Sequence, residues 1–359
     1  MKKLFGIFCV FVATIVLGGC NPSSTNPDDQ PTPFEGGVYV LCEGSFSAGN
    51  ASLWYYNHIT KVVTPDVFGK VNNAKLGDGG QSLYLHNNTL FVVVNNSGVV
   101  YALEATTGEV LGLIDGLISP SVVAIDDSGT KGYISQMNTN KLITFDPRTL
   151  AKTGEVELEG VVSSEQMAFV GDKLFIASWS NDHKITVLDS TTNKQLATFT
   201  VGVQPYSLAL DKQDTLWVVC DGGNAFSSLP EGVEVEDPSL WKINTENYVA
   251  EKVATLPNVG AFRLHLATNK SKDKLLLTSD ALWEVDVESG KFSDKPIVSV
   301  EGFGYLYGLG VHPTTGDIYI ADAKDFASNG TVSRYNSAGE LLDVVEVGIS
   351  PKRFVFLPQ

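Results

Sequence analysis

Two sets of seven positions in the sequence carry residue types that can bind a small molecule. Each position of the first set ends or directly follows a short apolar run, and the seven are Glu43, Asn95, Gln136, Trp179, Asp221, Ser279 and Asp322. Each position of the second set precedes another apolar run, and the seven are Gln81, Ser121, Glu165, Tyr206, Phe262, Tyr307 and Arg353. Carboxylates, amides, an arginine and aromatic rings in one concavity supply the polar groups and the apolar surface of a ligand site.

Neither set repeats one residue type, although the apolar runs beside them recur along the chain. A position that a turn dictates would keep the same Asn, Asp or Gly in every copy. The variation therefore predicts a ligand site, provided that the fold brings both sets to one place. The alternative is an ordinary polar surface whose aromatic side chains pack under loops.

The elements that carry these positions are short β-strands. After Phe34 the chain shows no long 3.6-residue periodicity, and apolar runs rich in Val, Tyr, Phe and Trp alternate with Gly, Asn, Asp and Ser. One run ends seven times in an acidic or amide residue, 42 to 55 residues apart, at Asn57, Glu104, Asp146, Asp189, Asn244, Asp286 and Asn336. A second run precedes each copy, and a third recurs seven times along the chain. Four short strands per unit at this period are typical of a β-propeller.

The two ends of the chain indicate how the ring closes. The first unit, which begins near Gly36, lacks the run that opens the other six, and a surplus copy stands at the C-terminus from Phe354 to Leu357. The sequence therefore predicts an all-β fold, a seven-bladed β-propeller over residues 36–359, in which the C-terminal strand completes the first blade and no open sheet edge remains in the ring. Two packed β-sandwiches are the alternative, and they do not explain the missing and the surplus strand.

The seven acidic or amide residues that end the recurring run predict turns rather than a metal site. Asn and Asp fold their side chains onto nearby backbone amides, and seven equivalent copies around a ring cannot form one site. The variable positions lie on the opposite side, where the loops between second and third strands meet the segments that lead into the innermost strands. A long loop between Cys220 and Leu240 adds residues to that side: Phe226, Glu231, Glu234, Glu236 and Asp237.

Composition narrows the class of partner. The chain has 25 Lys and Arg against 41 Asp and Glu, a net charge of −16, which gives no electrostatic attraction for nucleic acid. Cys42 and Cys220 fall at the same strand position of blades one and five, which are not neighbours, so they predict buried thiols rather than a disulfide. The sequence has no His cluster, no Gly-x-Ser-x-Gly and no phosphate-binding loop, and we therefore expect no enzymatic activity.

The N-terminus predicts a targeting signal. Lys2 and Lys3 precede an apolar stretch that is too short to span a bilayer, and it ends in Leu-Gly-Gly-Cys20, which resembles the lipobox of bacterial lipoproteins. We expect residues 1–19 to be a signal peptide and Cys20 to be lipidated. Residues 20–35 then include a flexible tether rich in Pro, Ser, Thr and Asp.

The first blade carries a more specific resemblance. From Cys42 to Phe46 it has Cys-Glu-Gly-Ser-Phe, close to the Asn-Glu-Gly-Asn-Phe of surface-layer-like propeller lipoproteins of Gram-negative gut bacteria. With the lipobox and the repeats, the chain resembles these lipoproteins and the YVTN and quinoprotein-dehydrogenase-like propellers. The group includes the BtuG-type proteins, which capture vitamin B12 outside the outer membrane and pass it to a TonB-dependent transporter.

The resemblance implies a lipid-anchored, non-enzymatic protein on the exterior of the outer membrane, which captures cobalamin or a related corrinoid. Its partners would be that ligand, the membrane and a TonB-dependent transporter, without nucleic acid. We expect eleven of the variable positions to bind the ligand: Glu43, Gln81, Asn95, Gln136, Trp179, Tyr206, Asp221, Phe262, Tyr307, Asp322 and Arg353. We predict no cofactor and no functional metal, and the sequence leaves open whether the protein holds a structural calcium ion.

Two other classes of function stay open. Glu43, Asn95 and Asp221 offer oxygen ligands that suit calcium or magnesium, as in the six-bladed sugar-lactonase propellers, so a metal-dependent lactonase or lyase is one alternative. A surface scaffold that binds protein or glycan is the other, because the same aromatic and amide side chains would serve it.

Overall fold

The computed structural model describes residues 34–223, 229–260 and 262–358. These residues form seven four-stranded antiparallel sheets. Contacts between the innermost strands run from each sheet to the next and return from the seventh to the first, so that the sheets surround a common axis. The prediction of a seven-bladed β-propeller is confirmed.

Each blade takes one strand from each of four positions, counted outward from the axis. The innermost strands are β4 (Gly80–His86), β8 (Pro120–Ile125), β12 (Gln166–Val170), β16 (Pro205–Leu210), β20 (His265–Thr268), β24 (Leu306–Val311) and β28 (Pro351–Phe356). The second strands are β1 (Val38–Cys42), β5 (Thr89–Val94), β9 (Gly132–Gln136), β13 (Lys173–Ser178), β17 (Leu216–Cys220), β21 (Lys274–Thr278) and β25 (Ile318–Asp322). The third strands are β2 (Ser52–Asn57), β6 (Val99–Glu104), β10 (Lys141–Phe145), β14 (Lys184–Asp189), β18 (Ser239–Ile243), β22 (Ala281–Asp286) and β26 (Asn329–Tyr335). The outer strands are β3 (Val62–Thr64), β7 (Val110–Ile114), β11 (Lys152–Glu157), β15 (Lys194–Thr200), β19 (Ala250–Thr255), β23 (Val298–Ser299) and β27 (Leu341–Ile349).

Closure of the ring follows the sequence prediction. The last strand, β28, pairs with β1 in register, with Val40 opposite Phe354, and the first blade therefore has the order β28-β1-β2-β3. The backbone amides and carbonyls of β1 would otherwise form an open edge at the axis.

The core lies between the blades. Seven buried apolar clusters fill the seven interfaces between neighbouring blades. Alternate residues of a second strand enter different clusters: Tyr39 and Leu41 of β1 pack against blade two, whereas Val38 and Val40 pack against blade seven. Because both faces of a second strand are buried, these strands appear in the sequence as continuous apolar runs.

The acidic and amide residues after the third strands form turns, as predicted. Asp146 accepts hydrogen bonds from the backbone amides of Arg148 at 2.8 Å and Thr149 at 3.4 Å, and Asn57, Asp189, Asn244, Asp286 and Asn336 bond local amides in the same way. Glu104 differs, since its carboxylate accepts from the amide of Asn88 and the hydroxyl of Thr106. We call this end of the ring the turn face and the opposite end the mouth face.

One element was not expected from the sequence. A single helical turn, α1 (Val67–Asn72), connects blade one to blade two and buries Val67 and Phe68. Six residues are too few to produce a visible helical periodicity. Within the described ranges, no helix is long and apolar enough to cross a membrane.

The predicted signal peptide, Cys20 and most of the tether lie outside the described residues. Phe34 and Glu35, which were assigned to the tether, pack on the turn face: the Phe34 amide bonds the carbonyl of Thr106 at 2.6 Å, and Tyr55 donates to the carbonyl of Glu35 at 2.7 Å. Packing against the propeller thus includes at least two residues before Gly36, the predicted start of the propeller domain.

Candidate functional site

A cavity of about 820 Å³ opens on the mouth face. Its walls come from the loops between second and third strands and from the residues that lead into the innermost strands, as expected. This volume lies in the range of small-molecule pockets in proteins. Eight of the eleven predicted ligand-binding residues line it: Glu43, Gln81, Asn95, Trp179, Tyr206, Phe262, Tyr307 and Arg353.

The other three predicted residues stand behind the wall and hold loops in place. The side chain of Gln136 donates to the carbonyl of Lys141 and accepts from the amide of Ile118. Asp322 accepts from the amides of Gly304, Tyr305 and Lys324 at 2.7 to 3.0 Å. Asp221 accepts from the indole of Trp179 and does not line the cavity. Asp221 follows its strand as Glu43 does, whereas Gln136 and Asp322 end β9 and β25 at the register position of Cys42, one residue before that of Glu43. The side chains of all three serve the protein's own backbone and rings.

β-Bulges place four of the wall residues. The pairing of innermost with second strands shifts by one residue in blades one, two, three, five and seven. In four of these blades the register skips a single named residue: Lys352, Gln81, Tyr206 and Tyr307. A bulge leaves one residue outside the ladder and redirects its side chain. Here each redirected side chain lines the cavity.

The sequence did not predict Lys352 as a site residue. The second set of seven positions has Arg353 as the equivalent of Tyr206 and Tyr307. The register of the first blade places Arg353 opposite Leu41, one residue beyond the bulge. A signal for the correct alignment exists in the sequence, because a proline precedes the bulged residue in Pro205-Tyr206 and in Pro351-Lys352. Both Lys352 and Arg353 line the cavity.

One side of the wall is aromatic. We call it the aromatic arc, and it consists of Trp179, Tyr206, Phe262, Tyr305, Tyr307 and Phe326. Its rings contact one another in sequence, with centroids 6.0 Å apart for Trp179 and Tyr206, 6.5 Å for Phe262 and Tyr307, and 5.1 Å for Tyr307 and Phe326. Edge and tilted contacts of this kind fix the rings as one surface.

The facing side is polar and comes from blades two to four. We call it the polar arc: Gln81, Asn95, Asn96, Ser121, Asn138 and Gln166. Asn95 donates to the carbonyl of Pro120 at 2.9 Å, so its amide is oriented by the next blade. The cavity therefore offers an apolar surface on one side and amide and hydroxyl groups on the other.

Three charged side chains of the first blade lie between the two arcs, and we call Glu43, Lys352 and Arg353 the charged seam. Glu43 accepts a hydrogen bond from the hydroxyl of Tyr307 and lies 3.4 Å from the ammonium of Lys352, which also contacts Gln81 at 3.0 Å. Burial lowers the pKa of Lys352, and the carboxylate of Glu43 opposes this shift. Burial and the nearby Glu43 raise the pKa of Tyr307, which keeps this phenol protonated.

Two buried carboxyl groups hold Trp179. Glu165, fully buried on the cavity wall, accepts from the amide of Trp179 at 2.6 Å and of Ser180 at 3.0 Å, and Asp221 accepts from the indole at 2.9 Å. Burial raises the pKa of Glu165 to about 7 and that of Asp221 to about 6. The largest ring of the aromatic arc is thus fixed at both its backbone and its side chain.

Comparison with known proteins identifies the family. The sequence matches a family described as "Domain of unknown function (DUF5074)" over residues 36–352, most of the chain. The chain belongs to this family. No functionally curated protein is similar enough in sequence to match it.

Solved structures similar to this DUF5074 protein are propellers of several kinds. A quinoprotein alcohol dehydrogenase-like protein from Bacteroides thetaiotaomicron is 15% identical with a TM-score of 0.67, over 90% of this chain and 79% of that one. A putative 6-phosphogluconolactonase from Bacteroides fragilis is 13% identical with a TM-score of 0.66, over 91% and 100%. Virginiamycin B lyase from Staphylococcus aureus is 11% identical with a TM-score of 0.60, over 78% and 89%. At these identities the likeness concerns the fold alone, and the resemblance to quinoprotein-dehydrogenase-like propellers is confirmed at that level.

The candidate metal ligands do not form one group in this DUF5074 protein. Glu43 bonds Tyr307 and Lys352, Asn95 directs its amide to Pro120, and Asp221 lies behind Trp179. Within residues 34–223, 229–260 and 262–358, no three His, Cys, Asp or Glu side chains are arranged to hold a metal ion.

The remaining features singled out in the sequence either do not line the cavity or lie outside the described residues. Cys42 and Cys220 are free and buried, as predicted. In the long loop of blade five, Phe226 lies outside the described residues. Glu236 accepts from the amide of Val203 at 2.9 Å, while Glu231 and Glu234 are exposed to solvent and do not line the cavity.

Proposed function

We propose that this protein captures a small molecule at the mouth face without transforming it, and that the ligand is cobalamin or a related corrinoid. The observation that supports this proposal is the two-sided cavity, with the aromatic arc facing the polar arc across about 820 Å³. A ligand that satisfies both sides needs a broad apolar face and a rim of hydrogen-bonding groups.

A corrinoid has this chemistry. Its ring system is broad and partly apolar, and its rim carries amides that both donate and accept hydrogen bonds. The rings of Trp179, Tyr206 and Phe262 offer a fixed apolar surface, which costs little conformational entropy on binding. The amides of Asn138 and Gln166 line the same cavity and suit the rim.

The proposed location is the exterior of the outer membrane, with a lipid on Cys20 and a TonB-dependent transporter as the partner that receives the ligand. Phe34 and Glu35 pack on the turn face, so the chain joins the propeller at the end opposite the mouth. Attachment at that end supports a mouth that stays accessible to ligand. Several acyl chains on one cysteine would satisfy the requirement of stable anchoring for more than one chain.

Isothermal titration calorimetry of the purified protein with cyanocobalamin tests the proposal. We expect a 1:1 complex with a dissociation constant of about 1 μM or tighter. No heat of binding at about 50 μM would overturn the corrinoid as ligand. Binding of an oligosaccharide or a surface protein in its place would support the scaffold, and hydrolysis of a lactone that depends on a divalent metal would support the enzyme.

A further inference from the structure

Arg353 differs from Arg334 and Arg148 in its surroundings. Arg334 bonds the carboxylates of Asp317 at 2.6 Å and Asp343 at 2.8 Å, and Arg148 contacts Asp146. Arg263 stacks on the ring of Tyr305, and its buried Nε has no acceptor among the described residues. Arg353 lines the cavity, and among the described residues its guanidinium has neither an ion pair nor a hydrogen-bond acceptor. A guanidinium has five donors in a planar fork that fits an oxyanion with two parallel bonds.

Three hydroxyl groups of the same cavity also lack a partner. The side-chain oxygens of Ser121, Tyr206 and Ser350 make no hydrogen bond to any described residue, although these residues are only 0%, 7% and 1% exposed. Each lines the cavity. Buried hydroxyls without partners cost free energy, and their presence in one cavity indicates that a bound group completes them.

The local charge favours an anion. Lys352 precedes Arg353 in β28, and the one carboxylate of the described residues within reach of the ammonium, Glu43 at 3.4 Å, also accepts from Tyr307. The charge of Arg353 is felt at three surrounding groups, since it acts to lower the pKa of Tyr206, Tyr307 and His265. A protein with a net charge of −16 thus keeps, among its described residues, a cation without an ion-pair partner in the cavity of the mouth face.

We propose that the charged seam binds an anionic oxygen group of the ligand, a phosphate ester, with Arg353 as its ion-pair partner and the free hydroxyls as further donors. This inference rests on the proposed function and narrows the ligand class, because a complete corrinoid carries one phosphodiester in its nucleotide loop whereas cobinamide carries none. The seam lies between the arcs, so the phosphate would sit beside Tyr307 while the ring system contacts the aromatic arc.

The first test compares cyanocobalamin with dicyanocobinamide by calorimetry, in the wild type and in Arg353→Gln. We expect Arg353→Gln to lower the affinity for cyanocobalamin roughly ten- to a hundredfold, which is the usual effect of losing a charge-assisted hydrogen bond. The affinity for dicyanocobinamide should not change. Arg148→Gln removes the same charge from the turn face and should change neither affinity. Equal losses for both corrinoids, or no loss for either, would overturn the inference.

The second test does not depend on the corrinoid. Phenyl phosphate and benzyl alcohol are titrated into the protein under saturation-transfer NMR, since both offer a ring to the aromatic arc and only the first offers a phosphate. We expect phenyl phosphate to bind at least tenfold more tightly than benzyl alcohol, and the difference to disappear in Arg353→Gln and to shrink in 0.5 M NaCl. If neither corrinoid binds but phenyl phosphate shows this preference, the proposed function fails and the phosphate site stands. If benzyl alcohol binds as well as phenyl phosphate, the phosphate site is wrong even where cyanocobalamin binds.

Discussion

The two ends of the ring are made by the same 28 strands, yet they follow different rules. On the turn face, Asp146 and its six counterparts stand at equivalent positions and mostly bond the amides of their own turns. On the mouth face, equivalent positions hold Gln81, Tyr206, Tyr307 and Lys352, which line one cavity. Lys352 contacts Gln81 and Tyr307 of other blades. On the turn face each blade has the same backbone amides to hydrogen-bond, so the same residue type recurs. On the mouth face one ligand is surrounded by all blades, so each blade contributes a different group.

The carboxyl groups of the two faces show the same difference in their electrostatics. The pKa values of Asp146, Asp189 and Asp286 on the turn face are lowered, chiefly by hydrogen bonds that they accept within their turns. The pKa values of Glu165 and Asp221 near the mouth are raised, chiefly by burial. Hydrogen bonds thus stabilise the ionised form of the carboxyl groups on the turn face. Burial destabilises the ionised form of Glu165 and Asp221, whose role is to hold Trp179 in place.

Deletion of residues 353–359 should have the largest effect on stability, because it removes most of the strand that closes the ring and on which both faces depend. Most of β28 would be lost, the edge of β1 would be unpaired and the ring would open. We expect loss of cooperative thermal unfolding or aggregation, measured by calorimetry and size-exclusion chromatography. Deletion of Gln359 alone is the control and should melt like the intact chain. A deletion variant that melts with the same cooperativity would contradict the closure of the ring by β28.

Substitutions in the aromatic arc should separate binding from stability. Truncation of an aromatic anchor at the centre of a binding site costs about 2 kcal/mol, so Trp179→Ala and Tyr206→Ala should weaken cyanocobalamin about thirtyfold. Tyr248→Ala is the matched control, because this tyrosine packs on Phe175 and Phe199 away from the cavity. Melting temperatures measured on the same samples detect any unfolding that mimics a binding defect. If Tyr248→Ala weakened cyanocobalamin binding as much as Tyr206→Ala does, the aromatic arc would not be the specific binding surface.

Carboxyl groups of the two faces should change the stability of the protein in opposite directions as the pH falls. The folded pKa of Glu165 is raised to about 7, so the folded state binds this proton more tightly than the unfolded state, and this group stabilises the fold as pH falls from about 7 to 5. The folded pKa of Asp286 is lowered, so its contribution is present above the unfolded pKa near 4 and is lost as pH falls through the folded value.

Denaturant titrations from pH 8 to 3 measure both contributions. Glu165→Gln should reduce the gain in stability between pH 7 and 5 relative to wild type, and Asp286→Asn should reduce the loss below pH 4. The comparison is between each variant and wild type, since His265, whose pKa burial lowers to about 3, acts against Glu165 in the same range. Parallel curves for Glu165→Gln and wild type would show that this carboxyl group titrates normally.

The smallest effects are expected for the turn residues themselves. Asp146→Ala and Asp286→Ala remove local hydrogen bonds at exposed turns and should lower the melting temperature slightly. Their affinity for cyanocobalamin should stay within about twofold of wild type. A large loss of affinity in either variant, with the aromatic variants unaffected, would place the binding site on the turn face.

Much of the fold follows from local patterns. The period of the apolar runs predicts the blades, and the surplus run at Phe354 predicts the closing strand. The helix α1 did not follow, because six residues between two strands leave no periodicity. The predicted equivalence of positions was also wrong by one residue at the last strand, β28 of the first blade, where a β-bulge selects Lys352 rather than Arg353 for the position of Tyr307.

The sequence by itself determined the number of blades, the closure of the ring, the turns and the face on which the variable residues meet, because each depends on spacing along the chain. Only the tertiary structure decided which of those residues share a cavity. Asp221 follows a second strand as Glu43 does, and Gln136 and Asp322 end theirs, yet hydrogen bonds turn all three side chains to Trp179 or to neighbouring backbone groups. The separation of the aromatic from the polar arc depends on which blades meet at the cavity, and so does the lack of an acceptor for Arg353 among the residues that the structure describes. Local propensity contains no information about such contacts, since side-chain partners are set by burial and packing after the ring has closed.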